Sequence, residues 1–400
     1  KIYVFESMLS ITGSSSDERF PIVPGSEVAV ALAVAHELIV VQKKTRFAGQ
    51  SDVTSVLTAV PVESLLGKAG GVSAEKIKKV ASDLWEARGK SLIVGSGSVA
   101  LQTVVNLLNS ALDNDGKTVD GTSDVVPATS SAKALASLMA EMEAGLVDVL
   151  IIERSNPVYF LPNGEAFANA MKKVKTVVAI TDRIDETAAF ADIVASESHY
   201  LESWGDAHPK ASIYSLQQPA ISPIHDTRSL EDALISWARA SGKSSGLLAQ
   251  VAGNPKGAFY DFLKENWKQT LFAAHGKGQT ANDFWETTLQ KGVLVTKPGA
   301  ARERTFRMAS LKLVQNTVSK LKMVSISQAK KGSITEGSGV VLGLYEKVSM
   351  GDGRNANNPW LQELPDPVTT VTWDNYVNIG PAFAKDLGLQ KWDVVKIKSD

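Results

Sequence analysis

Polar side chains follow three apolar segments of the chain, at the points where buried strands would end. Residues 95–98 (Gly-Ser-Gly-Ser) follow the first segment, residues 153–157 (Glu-Arg-Ser-Asn-Pro) the second, and Thr181 and Asp182 the third. In an open parallel sheet the carboxyl ends of the strands share one edge, and ligands bind beyond that edge. The sequence therefore predicts that these three loops converge on a ligand-binding edge.

Two of these loops admit both a binding role and an architectural one. Residues 95–98 are small enough for the backbone to approach a phosphate in front of a helix N-terminus, but they lack the third glycine of a dinucleotide fingerprint. Asn156 can recognise a nucleobase or tie its own loop together, and Pro157 stiffens that turn. The residues alone leave both roles open, and architecture is the commoner one.

A second group of polar side chains stands a little further along the chain. His199, Glu202, Asp206 and His208 are metal-ligand types within ten residues, but zinc sites usually have tighter spacing or cysteine. No nucleophile-elbow pattern is present, so the sequence does not predict a Ser–His–Asp relay. We expect neither a catalytic residue nor a metal ligand in this chain.

The elements that position these side chains follow from alternating apolar patterns. In chain order the patterns predict strand 91–94, helix 99–112, helix 132–143, strand 148–152, helix 164–173 and strand 177–180. Strands and helices that alternate at this spacing are typical of a parallel sheet with right-handed crossovers. A further apolar run at 191–195 follows the last of these strands. At the end of the chain the patterns predict strand 376–379, helix 381–387 with Gly388 as its C-terminal cap, and strand 394–397.

Composition narrows the class of protein. The 400 residues predict two or three domains, and a net charge of −1 with scattered basic residues argues against nucleic acid as a partner. No apolar stretch approaches the roughly eighteen residues of a membrane span. The chain has no cysteine, which excludes a thiolate-bound cluster or a thiol nucleophile within it. Because both ends lie inside regular patterns, we expect a piece of a longer protein.

Several long stretches resemble the dimethyl sulfoxide reductase superfamily of molybdopterin oxidoreductases. Residues 151–157 and 185–194, followed by Glu202 and Gly205, resemble the third domain of that superfamily. Residues 377–395 resemble the start of its C-terminal β-barrel.

Three further stretches narrow the resemblance. Residues 5–17, 198–206 and 358–376 are similar to the molybdopterin oxidoreductase-like subunit of alternative complex III, a bacterial respiratory complex that oxidises quinol. The resemblance touches nearly the whole chain, and its motifs are long.

The resemblance implies an α/β protein with a molybdopterin oxidoreductase-like architecture. A Rossmann-like parallel α/β domain (residues 71–225) would be inserted in a mixed α/β domain (residues 1–70 and 226–350). A linker (residues 351–370) would lead to the beginning of a C-terminal β-barrel domain (residues 371–400).

The resemblance also implies a function that belongs to a complex. The chain would be the cofactor-free, molybdopterin oxidoreductase-like scaffold of an iron–sulfur subunit on the periplasmic side of the bacterial inner membrane. Its partners would be a multiheme cytochrome and integral membrane subunits, and electrons would pass from quinol to a cytochrome or terminal oxidase. Iron–sulfur clusters are expected only in the remainder of the protein.

The resemblance identifies candidate site residues and one departure. By position, Ser155, Asn156, Asp182 and Thr187 would be remnants of a dinucleotide pocket. The superfamily usually has a glycine two residues before Asn-Pro, and this chain has Arg154 there. An arginine in that loop could occupy space meant for the guanine end of a pterin dinucleotide.

Two alternatives remain open from the sequence. One is a catalytically active oxidoreductase that holds a molybdenum bis-pterin guanine dinucleotide in an open pocket. The other is a simple nucleotide-binding module, which guanine-nucleotide binding by the isolated protein would support.

Overall fold

The computed structural model describes most of the chain, and every structural statement below refers to these residues: 1–70, 72–122, 124–126, 131–242, 245–251, 258–299, 304–320 and 342–397. The chain divides into two compact units. Unit 1 consists of residues 1–121, 302–351 and 355–400, and unit 2 consists of residues 122–301 and 352–354.

The elements are numbered in chain order. The strands are β1 (Tyr3–Glu6), β2 (Glu18–Pro21), β3 (Val149–Glu153), β4 (Thr176–Thr181), β5 (Ile193–Ser196), β6 (Gly205–Lys210), β7 (Ile213–Gln217) and β8 (Val293–Val295). The helices are α1 (Ile11–Ser14), α2 (Glu27–His36), α3 (Ser51–Thr58), α4 (Val62–Lys68), α5 (Ala74–Glu86), α6 (Val99–Ala111), α7 (Ala132–Glu143), α8 (Pro157–Phe160), α9 (Gly164–Met171), α10 (Leu230–Ala240), α11 (Leu247–Gln250), α12 (Ala258–Trp267), α13 (Ala273–His275), α14 (Ala281–Lys291), α15 (Leu311–Lys320), α16 (Pro359–Glu363) and α17 (Pro381–Leu387). Short 3₁₀ or π-helical segments cover Glu37–Val41, Ala188–Phe190, Tyr200–Glu202, Lys268–Phe272 and Met308–Ser310.

Unit 1 is organised around α2. Its sequence is apolar on nearly every side, and only Glu27, Ala31 and His36 escape full burial. A helix that is apolar all round must be enclosed by other elements, and α4, α5 and α6 pack against it. Strands β1 and β2 pair in parallel beside this core.

Residues 91–94, which the sequence predicted to be a strand, pair with no strand in the described part of the chain. Asn109 on α6 binds the backbone of Ile93: its Oδ1 accepts from Ile93 N at 3.0 Å, and its Nδ2 donates to Ile93 O at 2.8 Å. A side chain thus satisfies the two backbone groups of Ile93 that a partner strand would otherwise satisfy. The flanking helices α5 and α6 pack in the unit 1 core, whereas the predicted boundary at residue 71 assigned them to the parallel-sheet domain.

Unit 2 contains a parallel sheet with two of the three strands that the sequence predicted for it, and β5 is its third strand. Its strand order is β3-β4-β5, with Ile151 opposite Val178 and Val178 opposite Ile193. Helices α7 and α9 cover one face, where Met142 and Phe167 pack in one cluster with the buried side chains of β3 and β4. The predicted strands 148–152 and 177–180 and the predicted helices 132–143 and 164–173 are therefore confirmed.

Unit 2 also contains an antiparallel sheet, of order β6-β7-β8. Helices α12 and α14 contribute Trp267 and Trp285, which are 1% and 2% exposed and whose ring centroids lie 6.0 Å apart in an edge-to-face arrangement. Leu216 of β7 joins the same apolar cluster. Aromatic packing of this kind contributes a large share of the stability of a small core.

The last segment matches the sequence in its helix but not in its strands. Helix α17 ends at Gly388, which has φ 71° and caps the helix as predicted. The predicted strands at 376–379 and 394–397 find no pairing partner among the described residues, and a strand exists only when its backbone is paired. The predicted barrel is therefore not shown. None of the described helices is long and apolar enough to cross a membrane.

Candidate functional site

Two of the three predicted loops lie at one edge of the parallel sheet. Glu153 at the end of β3 stands opposite Ile180, and the backbone N–H of Arg154 donates to Ile180 O at 3.1 Å. Thr181 at the end of β4 stands opposite Ser196 of β5. The Gly-Ser-Gly-Ser loop at 95–98 belongs to unit 1, where it opens α6 and follows no strand of this sheet.

Asn156 and Thr187, two of the predicted pocket residues, bind each other. Asn156 Oδ1 accepts from the Thr187 hydroxyl at 2.7 Å and from the Thr187 backbone N–H at 3.2 Å. The same hydroxyl accepts from the backbone N–H of Val158 at 3.0 Å. Thr187 is 1% exposed. These contacts tie the loop after β3 to the loop after β4, which is the architectural role of Asn156 rather than the recognition of a base.

The remaining groups at this edge are also engaged with the protein or lie in solvent. Asn156 Nδ2 donates to Glu186 at 2.7 Å, and this hydrogen bond lowers the pKa of the Glu186 carboxyl. Both oxygens of Asp182 accept from the Arg183 guanidinium at 2.9 Å, which lowers the pKa of Asp182. Ser155 is exposed.

Arg154 holds an unusual backbone conformation and a strong ion pair. Its φ is 41°, in the left-handed region that glycine adopts without steric cost. Its Nε donates to Glu197 Oε2 at 2.8 Å, and its Nη2 lies 2.7 Å from Glu197 Oε1. This is the two-point geometry that a guanidinium forms with a carboxylate. The Glu197 side chain is 2% exposed and the Arg154 side chain 51% exposed.

The ion pair crosses the end of the central strand. Arg154 follows β3 and Glu197 follows β5, and β4 runs between these two strands. Neighbouring strands lie about 4.8 Å apart, so the two side chains meet over the end of β4, close to Thr181. Burial raises the pKa of the Glu197 carboxyl, and the Arg154 guanidinium opposes that rise. The Arg154 guanidinium is therefore the neighbour that favours the ionised form of this carboxyl.

As they stand, these side chains do not fit a dinucleotide at the sheet edge. The predicted pocket residues Asn156 and Thr187 use their polar atoms on each other, and Arg154 covers the end of β4. The described polar groups at the edge tie the loops together. Sequence reasoning identified Arg154 but missed Glu197, whose only sequence signal is a carboxylate two positions after the apolar run at 191–195.

The second polar cluster also has structural partners. Glu202 accepts from the backbone N–H of His199 at 3.0 Å, and Asp206 accepts from Trp267 Nε1 at 2.8 Å. The His208 ring stacks on Tyr214 with centroids 4.2 Å apart. In the part of the chain that the structure describes, no three His, Cys, Asp or Glu side chains come together as a metal site.

Comparison with known proteins agrees with this architecture. No family model matches the chain. A solved acetylene hydratase from Pelobacter acetylenicus has a similar fold, with a TM-score of 0.56 and 13% identity over 76% of this chain and 49% of that chain. The mixed α/β fold of the chain, with its parallel and antiparallel sheets, is consistent with a molybdopterin oxidoreductase-like fold.

Two curated relatives match the sequence. The molybdopterin-binding-like subunit of menaquinone reductase from Nitratidesulfovibrio vulgaris is 28% identical over 98% of this chain and 55% of its own length. The molybdopterin-containing subunit ArrA of arsenate respiratory reductase from Shewanella sp. strain ANA-3 is 24% identical over 63% of this chain and 36% of its own length. These relatives support the resemblance to the dimethyl sulfoxide reductase superfamily, but they do not single out alternative complex III. The chain spans about half the length of the first relative and about a third of the second.

Proposed function

We propose that this chain is a non-catalytic scaffold, with a molybdopterin oxidoreductase-like fold, in a quinone-linked respiratory complex. The relative that matches 98% of the chain is the molybdopterin-binding-like subunit of a menaquinone reductase. The name of that relative says that the subunit is like a molybdopterin-binding protein, and it does not say that the subunit holds the cofactor. We propose the same for this chain: the fold of such a protein without its cofactor.

The single observation that carries the proposal is the ion pair between Arg154 and Glu197. It lies over the end of β4, at the sheet edge where this type of fold places ligands. A large dinucleotide at that position would have to displace Arg154 and leave a buried carboxylate without its counterion. Breaking a buried pair in this way is costly. The edge therefore favours a protein that keeps its own side chains there.

The proposal extends to the complex as a whole. The subunit would lie on the periplasmic side of the inner membrane, against a multiheme cytochrome and integral membrane subunits. Iron–sulfur clusters would be carried by parts of the protein outside these 400 residues. The resemblance to alternative complex III implies quinol oxidation, whereas the name of the menaquinone reductase relative implies quinone reduction. Assaying the purified complex with quinol plus cytochrome, and separately with quinone plus an electron donor, decides the direction.

The deciding experiment is metal and pterin analysis of the intact protein, purified with its partners. We expect molybdenum and tungsten far below one atom per chain, and no pterin released on oxidation. A known molybdoenzyme purified from the same cells is the control, because it shows that the cofactor was available. Molybdenum or tungsten near one atom per chain would overturn the proposal.

A working molybdenum enzyme is the second candidate. The observation that favours it is the match to the molybdopterin-containing subunit of arsenate respiratory reductase. It requires both stoichiometric metal and a turnover that is lost when the cofactor is removed. The third candidate, a nucleotide-binding module, requires saturable binding of a guanine nucleotide in calorimetry.

A further inference from the structure

Residue 154 is an unexpected place for an arginine. Its φ of 41° costs a residue with a Cβ about 1–2 kcal/mol, and glycine would avoid that cost. Arg154 keeps this conformation because both its backbone N–H and its side chain are hydrogen-bonded. The Arg154 N–H is bonded to Ile180 O, and its side chain is bonded to Glu197. The ion pair thus accompanies a strained backbone.

Glu197 is positioned independently of Arg154. Its backbone N–H donates to Thr181 O at 3.1 Å. On the other side of β5, its backbone forms an isolated parallel β-bridge with the backbone of Arg228. These backbone contacts do not involve Arg154, so we expect the Glu197 backbone to keep its place at the sheet edge if Arg154 is shortened. The contrast in exposure, 2% for the Glu197 side chain and 51% for Arg154, indicates that the guanidinium reaches the carboxylate from the solvent side.

The geometry of the ion pair between Arg154 and Glu197 indicates which kind of cation the Glu197 carboxylate binds. Two nitrogens of one planar group meet two oxygens, at 2.8 and 2.7 Å. An ammonium ion is a point charge and does not reproduce this two-point geometry. The carboxylate therefore selects a planar fork of N–H donors.

We propose that Glu197 is a binding site for a guanidinium group and that Arg154 occupies this site permanently from within the chain. Residue 154 thus decides whether the sheet edge is closed. The inference rests on the proposed function, because only a chain without a dinucleotide at this edge can keep Arg154 there. Removal of the arginine side chain opens a site for a small guanidinium compound from solution.

The test is chemical rescue of R154G in the full chain. Glycine removes the side chain and also the backbone strain, so the remaining defects are the unpaired Glu197 and the lost, longer contact between Arg154 Nε and Glu153 Oε1 at 3.4 Å. Melting temperatures are measured with methylguanidinium chloride and with methylammonium chloride at equal millimolar concentrations. We expect methylguanidinium to raise the Tm of R154G by roughly 5 °C at 100 times its Kd. Methylammonium should give a much smaller rise.

Two matched controls decide the outcome. In the unsubstituted protein the site is already filled, and in R154G/E197Q the carboxylate is gone, so neither should respond to methylguanidinium more than to methylammonium. Equal responses in R154G and the unsubstituted protein would overturn the proposal. A response of R154G to both cations alike would also overturn it.

If R154G does not fold, R154K gives the second measurement. Lysine keeps the charge and the backbone strain but loses the planar fork, so we expect a lower Tm than that of the unsubstituted protein. An unchanged Tm would contradict the proposal. These results are independent of the metal analysis: molybdenum in the protein would refute the scaffold, whereas failed rescue would refute only the guanidinium site.

Discussion

The two polar regions of unit 2 are held together in different ways. At the edge of the parallel sheet, the partners are far apart in the chain: Arg154 and Glu197 are separated by 43 positions, and Asn156 and Thr187 by 31. In the stretch around His199, Glu202 accepts from the backbone N–H of His199, three positions away, and from that of Ile224, 22 positions away.

The two regions contribute to different properties of the protein. The edge contacts join loops that follow different strands, so they fix where the loops lie and which groups remain for a ligand. The stretch around His199 is joined to an aromatic core, because Asp206 accepts a hydrogen bond from Trp267, 61 positions away. We therefore expect stability to depend most on the aromatic core, and ligand access to depend on the edge.

The largest expected effect is on the aromatic core. Replacing Trp267 with alanine should lower the free energy of unfolding by about 3–5 kcal/mol, because a fully buried indole is lost and a cavity remains. Urea unfolding followed by circular dichroism gives the free energy. Hydrogen exchange should quicken in β6 to β8 well before it quickens in β3 to β5.

The matched control for this change is W267F. It keeps a packed ring but removes the indole N–H that donates to Asp206, so it should cost clearly less than W267A. Equal acceleration of exchange in both sheets would contradict the comparison, because the parallel sheet would then depend on the aromatic core as strongly as the antiparallel one does.

The sequence predicts the strands of the protein better than it predicts the contacts that these strands make. Apolar runs identified β3 and β4, because a short apolar run is typical of a strand with buried side chains. Residues 91–94 carry the same pattern but form no strand, because the Asn109 side chain satisfies Ile93. Whether an apolar run pairs with another strand depends on distant residues, which a local pattern does not contain.

The candidate site shows the same limit. The resemblance identifies Asn156 and Thr187 as pocket remnants, yet their mutual hydrogen bond depends on how two loops meet in space. Arg154 is expected from the sequence to obstruct the edge, and the structure supplies the partner, Glu197, that the sequence does not reveal. Residue types indicate where polar groups cluster, and only the fold shows which of them are already bonded.

A smaller effect is expected from T187V at the sheet edge. Valine keeps the shape of threonine but leaves the Val158 N–H without its acceptor in a buried place, so we expect a loss of about 1–3 kcal/mol. T187S keeps the hydroxyl and is the control. It should cost about 0.8 kcal/mol for the lost methyl group. If T187V and T187S cost the same in urea unfolding, the hydroxyl does not hold the two loops together.

The smallest effect is expected at Asp182, which lies at the same edge but pairs with its neighbour Arg183. The two side chains are 48% and 43% exposed, so D182N should cost less than about 0.5 kcal/mol at neutral pH. Because Arg183 lowers the pKa of Asp182, this contribution is present above the ordinary aspartate range and is lost as the pH falls through the lowered pKa. Urea unfolding at neutral and acidic pH should therefore show the difference between D182N and the unsubstituted protein shrinking in acid. R183Q is the control, because it removes the largest cause of the lowered pKa and should weaken the pH dependence. A cost well above about 1 kcal/mol, or one that grows in acid, would mean that Asp182 belongs with the long-range ties of the edge rather than with its local pairs.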